Sequence, residues 1–167
     1  GDAAISVSSH NLQIGETVEV VLSTTEILAD WNVISYTFDL TYDAAVLEYV
    51  GYDTDETLSD GGMLSVNSSE EGALTIGFIT FSPLNGSGDL VKLQFAAQAN
   101  GTSALDVSSF KYNDTDIANV TDGQVVVGGG GESYTFQLVQ GWNLIGVPFD
   151  CAIDDSRITV IWKYYEG

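Results

Sequence analysis

The sequence predicts an all-β protein: a nine-stranded jelly-roll β-sandwich followed by a short extra β segment at the C-terminus. Three observations predict this class. Apolar and polar residues alternate with a period of two along most of the chain, and helical periodicity is almost absent. Clusters of Gly, Asp, Asn and Ser separate the alternating runs at short intervals. The composition, with 44% apolar and 11% aromatic residues, is sufficient for a packed core.

The alternation also predicts where each strand lies. In chain order, the nine predicted strands are Ala4–Ser8, Thr17–Thr24, Asn32–Tyr42, Val46–Tyr52, Met63–Asn67, Ala73–Phe81, Leu90–Ala97, Ala104–Tyr112 and Gln124–Val127.

The same pattern assigns side chains to an inner or an outer face. In the third strand we expect the inward residues to be Ile34, Tyr36, Phe38 and Leu40, and the outward residues to be Val33, Ser35, Thr37 and Asp39. In the sixth strand we expect the inward residues to be Leu74, Ile76 and Phe78, and the outward residues to be Thr75, Gly77, Ile79 and Phe81.

Three of these outward positions are apolar where solvent is expected. Val33, Ile79 and Phe81 stand beside small or hydroxylated neighbours, a mixture that suits a protein-binding patch. Two other interpretations stay open: the three side chains contact the C-terminal segment, or they are ordinary scattered surface hydrophobes.

A run of four glycines, Gly128–Gly131, marks the clearest boundary in the chain. We therefore divide the sequence into a sandwich at 1–127, a glycine linker at 128–131 and a partial β segment at 132–167. The last segment offers three strand-like pieces, too few for a core of its own. It docks on the sandwich, pairs with another chain or begins a second domain, and we expect the last.

Charge and targeting signals restrict the possible partners. The formal net charge is −20, from 24 acidic residues against four lysines and arginines, which disfavours nucleic acid and anionic membranes. No apolar run reaches membrane-spanning length, so we expect no membrane insertion. Five Asn-X-Ser/Thr sequons favour an extracellular or cell-surface protein, with possible glycosylation at Asn67, Asn85, Asn100, Asn113 and Asn119.

The sequence contains few of the residues that enzymes use. A single histidine, His10, and a single cysteine, Cys151, nearly exclude nucleophile systems of the Ser/His/Asp or Cys/His kind. Paired carboxylates such as Asp53 with Asp55 and Asp114 with Asp116 could bind calcium, but none follows the twelve-residue calcium-loop pattern. We interpret them as solvated turns and expect a protein without catalytic activity or an intrinsic cofactor.

One stretch, "FDLTYDAAVLEYVGYD" at 38–53, resembles the signature of cohesin domains, in which a strand ends in Tyr-Asp and a "VLE" restart follows a short turn. Other segments resemble the same family in order and spacing: "NLQIGETVEVVLST" (11–24), "GALTIGFITFS" (72–82), "GDLVKLQFAA" (88–97) and "SSFKYNDTDIANVTDGQVVVG" (108–128).

The resemblance implies a jelly roll that binds a dockerin, a small calcium-loaded helical module, so calcium is expected in the partner. The contact surface would be one outer face formed by the third, fifth, sixth and eighth strands. The positions that fall on this surface are Ser35, Thr37, Ser65, Asn67, Thr75, Gly77, Ile79 and Phe81. Cellulosomal cohesins typically carry Asn and Asp where this chain has Ser35 and Thr37, and a glycan on Asn67 would obstruct the face.

Two other function classes stay open. A carbohydrate-binding module would present a row of exposed aromatics, and the sandwich has one tryptophan, Trp31. A structural repeat of a cell-surface protein would fit the sequons and the acidity equally well. The segment "FQLVQGWNLIGVP" (136–148) with a later "VIWKYYEG" (160–167) is similar to a repeat in surface proteins, mostly of archaea, and supports a surface setting.

Overall fold

The computed structural model describes residues 3–128, which form two β-sheets packed face to face. The smaller sheet has the strand order β11-β1-β3-β8-β5, and the larger has the order β2-β12-β9-β4-β7-β6, with β10 attached to β9. The strands are β1 (Ala4–Val7), β2 (His10–Leu12), β3 (Thr17–Ile27), β4 (Val33–Thr41), β5 (Leu47–Asp53), β6 (Met63–Glu70), β7 (Ala73–Leu84), β8 (Gly86–Ala97), β9 (Gly101–Tyr112), β10 (Thr115–Asp116), β11 (Asn119–Thr121) and β12 (Gly123–Val127).

This architecture confirms the predicted all-β sandwich. Each of the nine predicted strands corresponds to an observed strand, with ends that differ by a few residues. The sequence did not predict β2, β10 and β11, which have only two or three residues each. A short 3₁₀ helix, Ala29–Trp31, precedes β4. The predicted linker beyond Gly128 and the predicted β segment at 132–167 lie outside the described residues.

The first two strands of the domain pair in parallel with its last two strands. β1 pairs with β11 through Ala4 and Asn119, and β2 pairs with β12 through His10 and Val125. The remaining strand pairs are antiparallel. The first strands of the domain are therefore completed by its last ones, one pair in each sheet.

The core lies between the two sheets and consists of the side chains that point inward from each alternating strand. On the larger sheet the inward side includes a cluster of aromatic rings, in which Tyr36 and Phe78 stack with centroids 4.7 Å apart. Phe38 and Phe110 stack with centroids 5.5 Å apart. Because these rings come from β4, β7 and β9, they form a rigid layer beneath the outer face of those strands.

The segment that ends β4 turns as its sequence predicts. The Asp43 Oδ1 accepts a hydrogen bond from the Ala45 N–H at 2.9 Å, and the Asp43 carbonyl accepts one from the Leu47 N–H at 2.9 Å. Leu47 then returns to the core, where it is buried. The Tyr-Asp ending and the Val-Leu-Glu restart are thus the two sides of one tight, side-chain-capped turn.

The predicted facing of the first residues of β4 is wrong. Val33 is buried, with 1% of its surface exposed, whereas Ile34 is 40% exposed. The cause is an irregularity between Val33 and Ser35 in the pairing of β4 with β7, which interrupts the alternation. From Ser35 onward the predicted facing is correct, and Val33 is removed from the set of outward apolar residues.

The connection from β5 to β6 crosses from the smaller sheet to the larger and is fixed to both. The Leu58 N–H donates to the Asp89 carbonyl at 2.8 Å, and the Ser59 hydroxyl lies 2.9 Å from the Tyr36 hydroxyl, buried in the core. A Cβ at Gly62 would clash with the Phe78 ring, so only glycine fits there. These contacts hold the start of β6 against the sandwich. No helix within residues 3–128 is long and apolar enough to cross a membrane.

Candidate protein-binding face

Four neighbouring strands of the larger sheet share one open outer face. The strands predicted to form the contact surface correspond to β4, β6, β7 and β9, and the sheet order β9-β4-β7-β6 places them side by side. We call the outward side of these four strands the β4–β7 face. Seven of the eight predicted contact positions lie on it in paired positions: Ser35 and Thr37 on β4, Ser65 and Asn67 on β6, and Thr75, Gly77 and Ile79 on β7. Phe81 lies just beyond Ile79, in the unpaired stretch 80–83 of β7 opposite the irregular start of β4. Their role in binding stays a prediction.

The strand register arranges these positions in rows across the face. One row joins Met63, Ile79 and Ser35, and the next joins Ser65, Gly77, Thr37 and Lys111. A third row joins Asn67, Thr75, Asp39 and Ser108. The residues of a row are direct cross-strand neighbours, so a partner lying on the face contacts them as sets.

One end of the β4–β7 face is apolar. Phe81 is 94% exposed, Ile79 is 48% exposed and Met63, which the sequence prediction left out, is 60% exposed. Met63 pairs with Ile79, and its outward facing follows the same alternation as the predicted Ser65 and Asn67. Large apolar side chains this open to water on a flat sheet are typical of a protein-interaction site.

The middle of the face has a shallow depression, because Gly77 has no side chain to cover the backbone there. A Cβ added at Gly77 would find no atom within 4 Å, and the backbone there has no positive φ. Gly77 therefore leaves a shallow depression, with Thr37 on one side and Ser65 on the other. A side chain or a backbone of a partner can approach the sheet closely at this point.

The opposite end is polar and acidic. The Thr75 hydroxyl donates a hydrogen bond to the Asp39 Oδ1 at 2.7 Å. In the following row, Asp106 on β9 faces outward beside Thr41 on β4. The cation on the face, Lys111, lies 3.3 Å from the Asp116 carboxylate on β10. Asp39 and Asp106 thus give this end a negative potential that an incoming cation would meet.

Asn113 holds the start of β4 in place. Its Oδ1 accepts hydrogen bonds from the Ile34 N–H at 3.0 Å and the Ser35 N–H at 3.2 Å, and its Nδ2 donates to the Asn32 carbonyl at 3.1 Å. The residue adopts a left-handed backbone with φ 51°. The predicted sequon at Asn113 therefore has an amide that already serves as a structural connector, and it also fixes Ser35 on the β4–β7 face.

The remaining sequons occupy different places. Asn67 is exposed on the β4–β7 face itself, where its Oδ1 accepts a hydrogen bond from the Ser69 N–H at 3.1 Å. Asn85 and Asn100 are exposed at strand ends, and Asn119 is exposed on β11 of the smaller sheet. Of these four sequons, the one at Asn67 is the one whose glycan would stand among the predicted contact positions.

Residues 3–128 hold no group of three or more His, Cys, Asp or Glu side chains placed to bind a metal ion. His10 lies in β2 and not in a loop, and its Nε2 is 2.7 Å from the Ser8 hydroxyl, which accepts a hydrogen bond from the Val21 N–H. This histidine is tied to the structural bonding of the sheets.

The strongest pKa shifts are found on tyrosines of the interior. Burial raises the pKa of Tyr36 far above its usual range, and burial raises the pKa of Tyr112 to about 12. Thr24 lies beside the Tyr112 hydroxyl, but no hydrogen bond of acceptable geometry joins them, and both hydroxyls are buried. These tyrosines stay neutral at physiological pH and serve as packing groups.

A cavity of about 520 Å³ opens beside the 3₁₀ helix. Trp31, Tyr112, Asn113 and Ile117 are among its lining residues. Trp31 is half-buried and packs against the core, so it does not form the row of exposed aromatic rings on which sugar rings stack.

The fold and the face together define a class of protein: a β-sandwich module with a flat, partly apolar sheet face. The family model of the Cohesin domain matches residues 3–127, which is most of the chain. The chain belongs to the cohesin family.

Solved structures agree with this assignment. The chain is 25% identical, with a TM-score of 0.60, to CaCohA2 of Clostridium acetobutylicum in its complex with CaDoc0917, covering 75% of this chain and 99% of that one. The sixth cohesin of Acetivibrio cellulolyticus scaffoldin B, in complex with a mutant Cel5 dockerin, has 22% identity and a TM-score of 0.65, with coverages of 76% and 99%.

An archaeal protein shares the fold as well. A non-cellulosomal cohesin of the hyperthermophilic archaeon Archaeoglobus fulgidus has 16% identity and a TM-score of 0.64, covering 76% of this chain and 91% of that one. No curated protein sequence matches the chain.

Proposed function

We propose that this cohesin domain is a non-catalytic interaction module that binds a calcium-loaded dockerin through its β4–β7 face. The observation that carries the proposal is the exposure of Phe81, at 94%, on a sheet face whose strands are packed by a rigid aromatic layer from behind. A family of binding modules, a flat preformed surface and an open apolar anchor favour the same function.

The apolar and the polar residues of the face have different roles in the proposed binding. Ile79, Phe81 and Met63 supply apolar area that loses its water when a partner covers it. Ser35 and Thr37, together with Ser65, Asn67 and Thr75, offer hydroxyl and amide groups that fix the partner's position. Affinity comes from contact alone, with no bond made or broken.

Calcium in this proposal belongs to the partner. Dockerins are calcium-loaded modules, so a chelator is expected to weaken binding by unfolding the dockerin while this domain stays folded. The acidic surface of this chain favours a dockerin that presents Lys or Arg.

The proposal includes a setting outside the cell or at the cell surface. Exposed sequons at Asn67, Asn85, Asn100 and Asn119 support that setting. We keep the division into a sandwich at 1–127, a linker at 128–131 and a following segment at 132–167 as part of the same proposal.

Calorimetric titration with the dockerins encoded in the source genome tests the function. We expect at least one of them to bind in calcium and to lose binding when a chelator is added. Absence of binding to all of them would favour a purely structural role in a surface protein. Retention of the chain on cellulose or chitin resin would instead favour a carbohydrate-binding module.

A further inference from the structure

The β4–β7 face is chemically different at its two ends along the strands. Phe81, Ile79 and Met63 stand at one end, and Asp39 and Asp106 stand toward the other. Between them the row through Gly77 presents small and polar groups. The face therefore has a direction, from apolar to acidic, that lies along β7 and points toward the start of that strand.

The length of this gradient matches a short helix. The outward positions from Thr75 to Phe81 span about 20 Å along β7, since a strand rises about 3.4 Å per residue. An α-helix covers the same distance with about 13 residues. A helix laid along β7 would therefore have one end over the apolar side chains and the other over the acidic ones.

The acidic end lacks cations of its own. In the last row, Asp106, Thr41, Ala73 and Glu70 lie opposite one another on β9, β4, β7 and β6. Neither this row nor the row through Asp39 contains a lysine or arginine. Two carboxylates and the nearby Glu70 are consequently free to attract positive charge from a partner.

The apolar end differs from the acidic end because its outward strand positions carry no charged side chain. Exposed carboxylates border it, with Asp60 before β6 and Asp114 after β9. The outward strand positions themselves carry Met63, Ile79 and Phe81 and no charge. A partner's lysine placed directly over these three side chains would lose water there, because the nearest carboxylates lie at the border of this end and not beneath the lysine.

We propose that the β4–β7 face accepts a dockerin helix in a single orientation. The helix has large apolar side chains at the end that covers Phe81 and Ile79, and Lys or Arg at the end that covers Asp39 and Asp106. The reversed helix would set cations on the apolar end and apolar groups on the carboxylates, so both ends would be mismatched. This inference rests on the proposed dockerin-binding function and adds the chemistry and the direction of the partner.

Site-specific photocrosslinking tests the orientation in the full chain. In a Cys151→Ser background, one variant carries Asp60→Cys beside the apolar end and another carries Glu71→Cys in the turn beyond the acidic end. Each cysteine receives a benzophenone label and is irradiated with a calcium-loaded dockerin from the source genome that binds in the calorimetric assay. Mass spectrometry then maps the crosslinked dockerin residues.

We expect the label at position 60 to react only with the apolar end of the helix, and the label at position 71 only with its Lys/Arg end. Both labels reacting with both ends would show two orientations and overturn the inference while leaving dockerin binding intact. The opposite assignment of ends would overturn it as well. If none of the dockerins binds at all, the proposed function itself fails, and that result precedes any crosslinking.

Salt dependence gives a second test of the acidic end. Asp39→Asn together with Asp106→Asn keeps the Thr75 hydrogen bond and removes two charges. We expect the dockerin Kd to rise about tenfold at about 0.01 M salt and less than about twofold at about 1 M salt, because salt screens the lost attraction. Glu19→Gln with Glu26→Gln, on exposed positions of β3 in the other sheet, is the matched control. Equal Kd values for the two double variants at low salt would contradict the proposed polarity.

Discussion

The outer faces of the two sheets differ although both are built by the same alternation. On the smaller sheet and its flanking turns several outward polar groups bond one another: the Gln94 amide donates to Glu19 at 3.4 Å, the Gln98 amide donates to Glu48 at 2.6 Å, and the Lys92 ammonium donates to the Asp55 carbonyl at 2.9 Å. The β4–β7 face exposes three large apolar side chains together at one end, Phe81, Ile79 and Met63, whereas the smaller sheet exposes Val50 and Tyr52 on its edge strand β5.

This difference shows which residues of such a sandwich can be adapted to a function. The inward half of each strand is constrained by the core, where Leu93 and Phe95 on one sheet and Ile76 and Phe78 on the other are buried alike. The outward residues are free of that constraint, so they are selected by the surroundings of the surface. The smaller sheet has an outer face suited mainly to water, and the β4–β7 face is suited to a protein partner.

The largest expected effect comes from removing the apolar end. Ile79→Ala with Phe81→Ala should weaken dockerin binding by about 3 kcal/mol, because both side chains lose their contact area, while unfolding free energy changes by less than about 1 kcal/mol. Calorimetric titration and urea denaturation measure the two quantities. Val50→Ala, at an exposed apolar position of β5 on the other sheet, is the control and should change neither. A double variant that unfolds would place these side chains in the core.

A second effect comes from filling the depression in the middle of the face. Gly77→Trp should weaken binding by about 2 kcal/mol, since the indole would keep the partner away from the sheet, and the backbone there tolerates a side chain. Gly51→Trp on β5 is the matched control, because its added Cβ meets only ordinary contact with the Gln94 side chain at 3.6 Å. Equal affinities of the two tryptophan variants would mean that the partner does not cover Gly77.

A third effect concerns glycans, which should weaken dockerin binding when attached to Asn67 on the β4–β7 face but not when attached to Asn119 on the other sheet. The chain produced in a host that glycosylates Asn67 should bind a dockerin about tenfold more weakly than the chain after enzymatic removal of the glycan, because a bulky sugar would stand beside Thr75. A variant that keeps the sequon at Asn119 but carries Asn67→Gln should bind equally with and without its glycan. Occupancy at each site is read by peptide mass spectrometry.

The smallest effect concerns the interior beneath the face. Tyr112→Phe removes a buried hydroxyl without a satisfactory partner and should raise the unfolding free energy by up to about 1 kcal/mol at neutral pH. Burial raises the pKa of Tyr112 to about 12, whereas an unfolded tyrosine ionises near pH 10. Ionisation therefore leaves stability unchanged below pH 10 and lowers it as the pH rises from 10 to 12, because only the unfolded state then loses the proton readily.

The variant lacks this group, so its advantage over the original chain should widen by about 2 kcal/mol between pH 10 and pH 12. Urea denaturation followed across that pH interval measures the difference. Parallel stability curves for the two proteins would show that Tyr112 ionises as readily in the folded state as in the unfolded one.

Much of the fold could be predicted because period-two alternation is a local signal that survives in long strands. It failed where the signal is interrupted or too short. Val33 and Ile34 were assigned to the wrong faces because the irregular pairing at the start of β4 depends on β7, more than forty residues away. Strands such as β10, with two residues, contain no alternation to detect.

The candidate face was less accessible to sequence reasoning. Alternation identified Ile79 and Phe81 as outward, but only the family resemblance indicated which strands lie side by side. Cross-strand neighbours depend on register, which no single strand encodes. Met63 could have been included from its spacing to Ser65, whereas the pairing of Lys111 with Asp116 required the position of β10.

The parallel pairing of the first strands with the last ones has a consequence for biosynthesis. Ala4 needs Asn119 and His10 needs Val125 before either sheet has its full set of strands. A nascent chain emerging from the ribosome therefore cannot close the sandwich until nearly the whole domain has been translated. Until then β2 and one edge of β1 lack their strand partners, although β1 can already pair with β3, and the synthesis of β11 and β12 completes both sheets almost together.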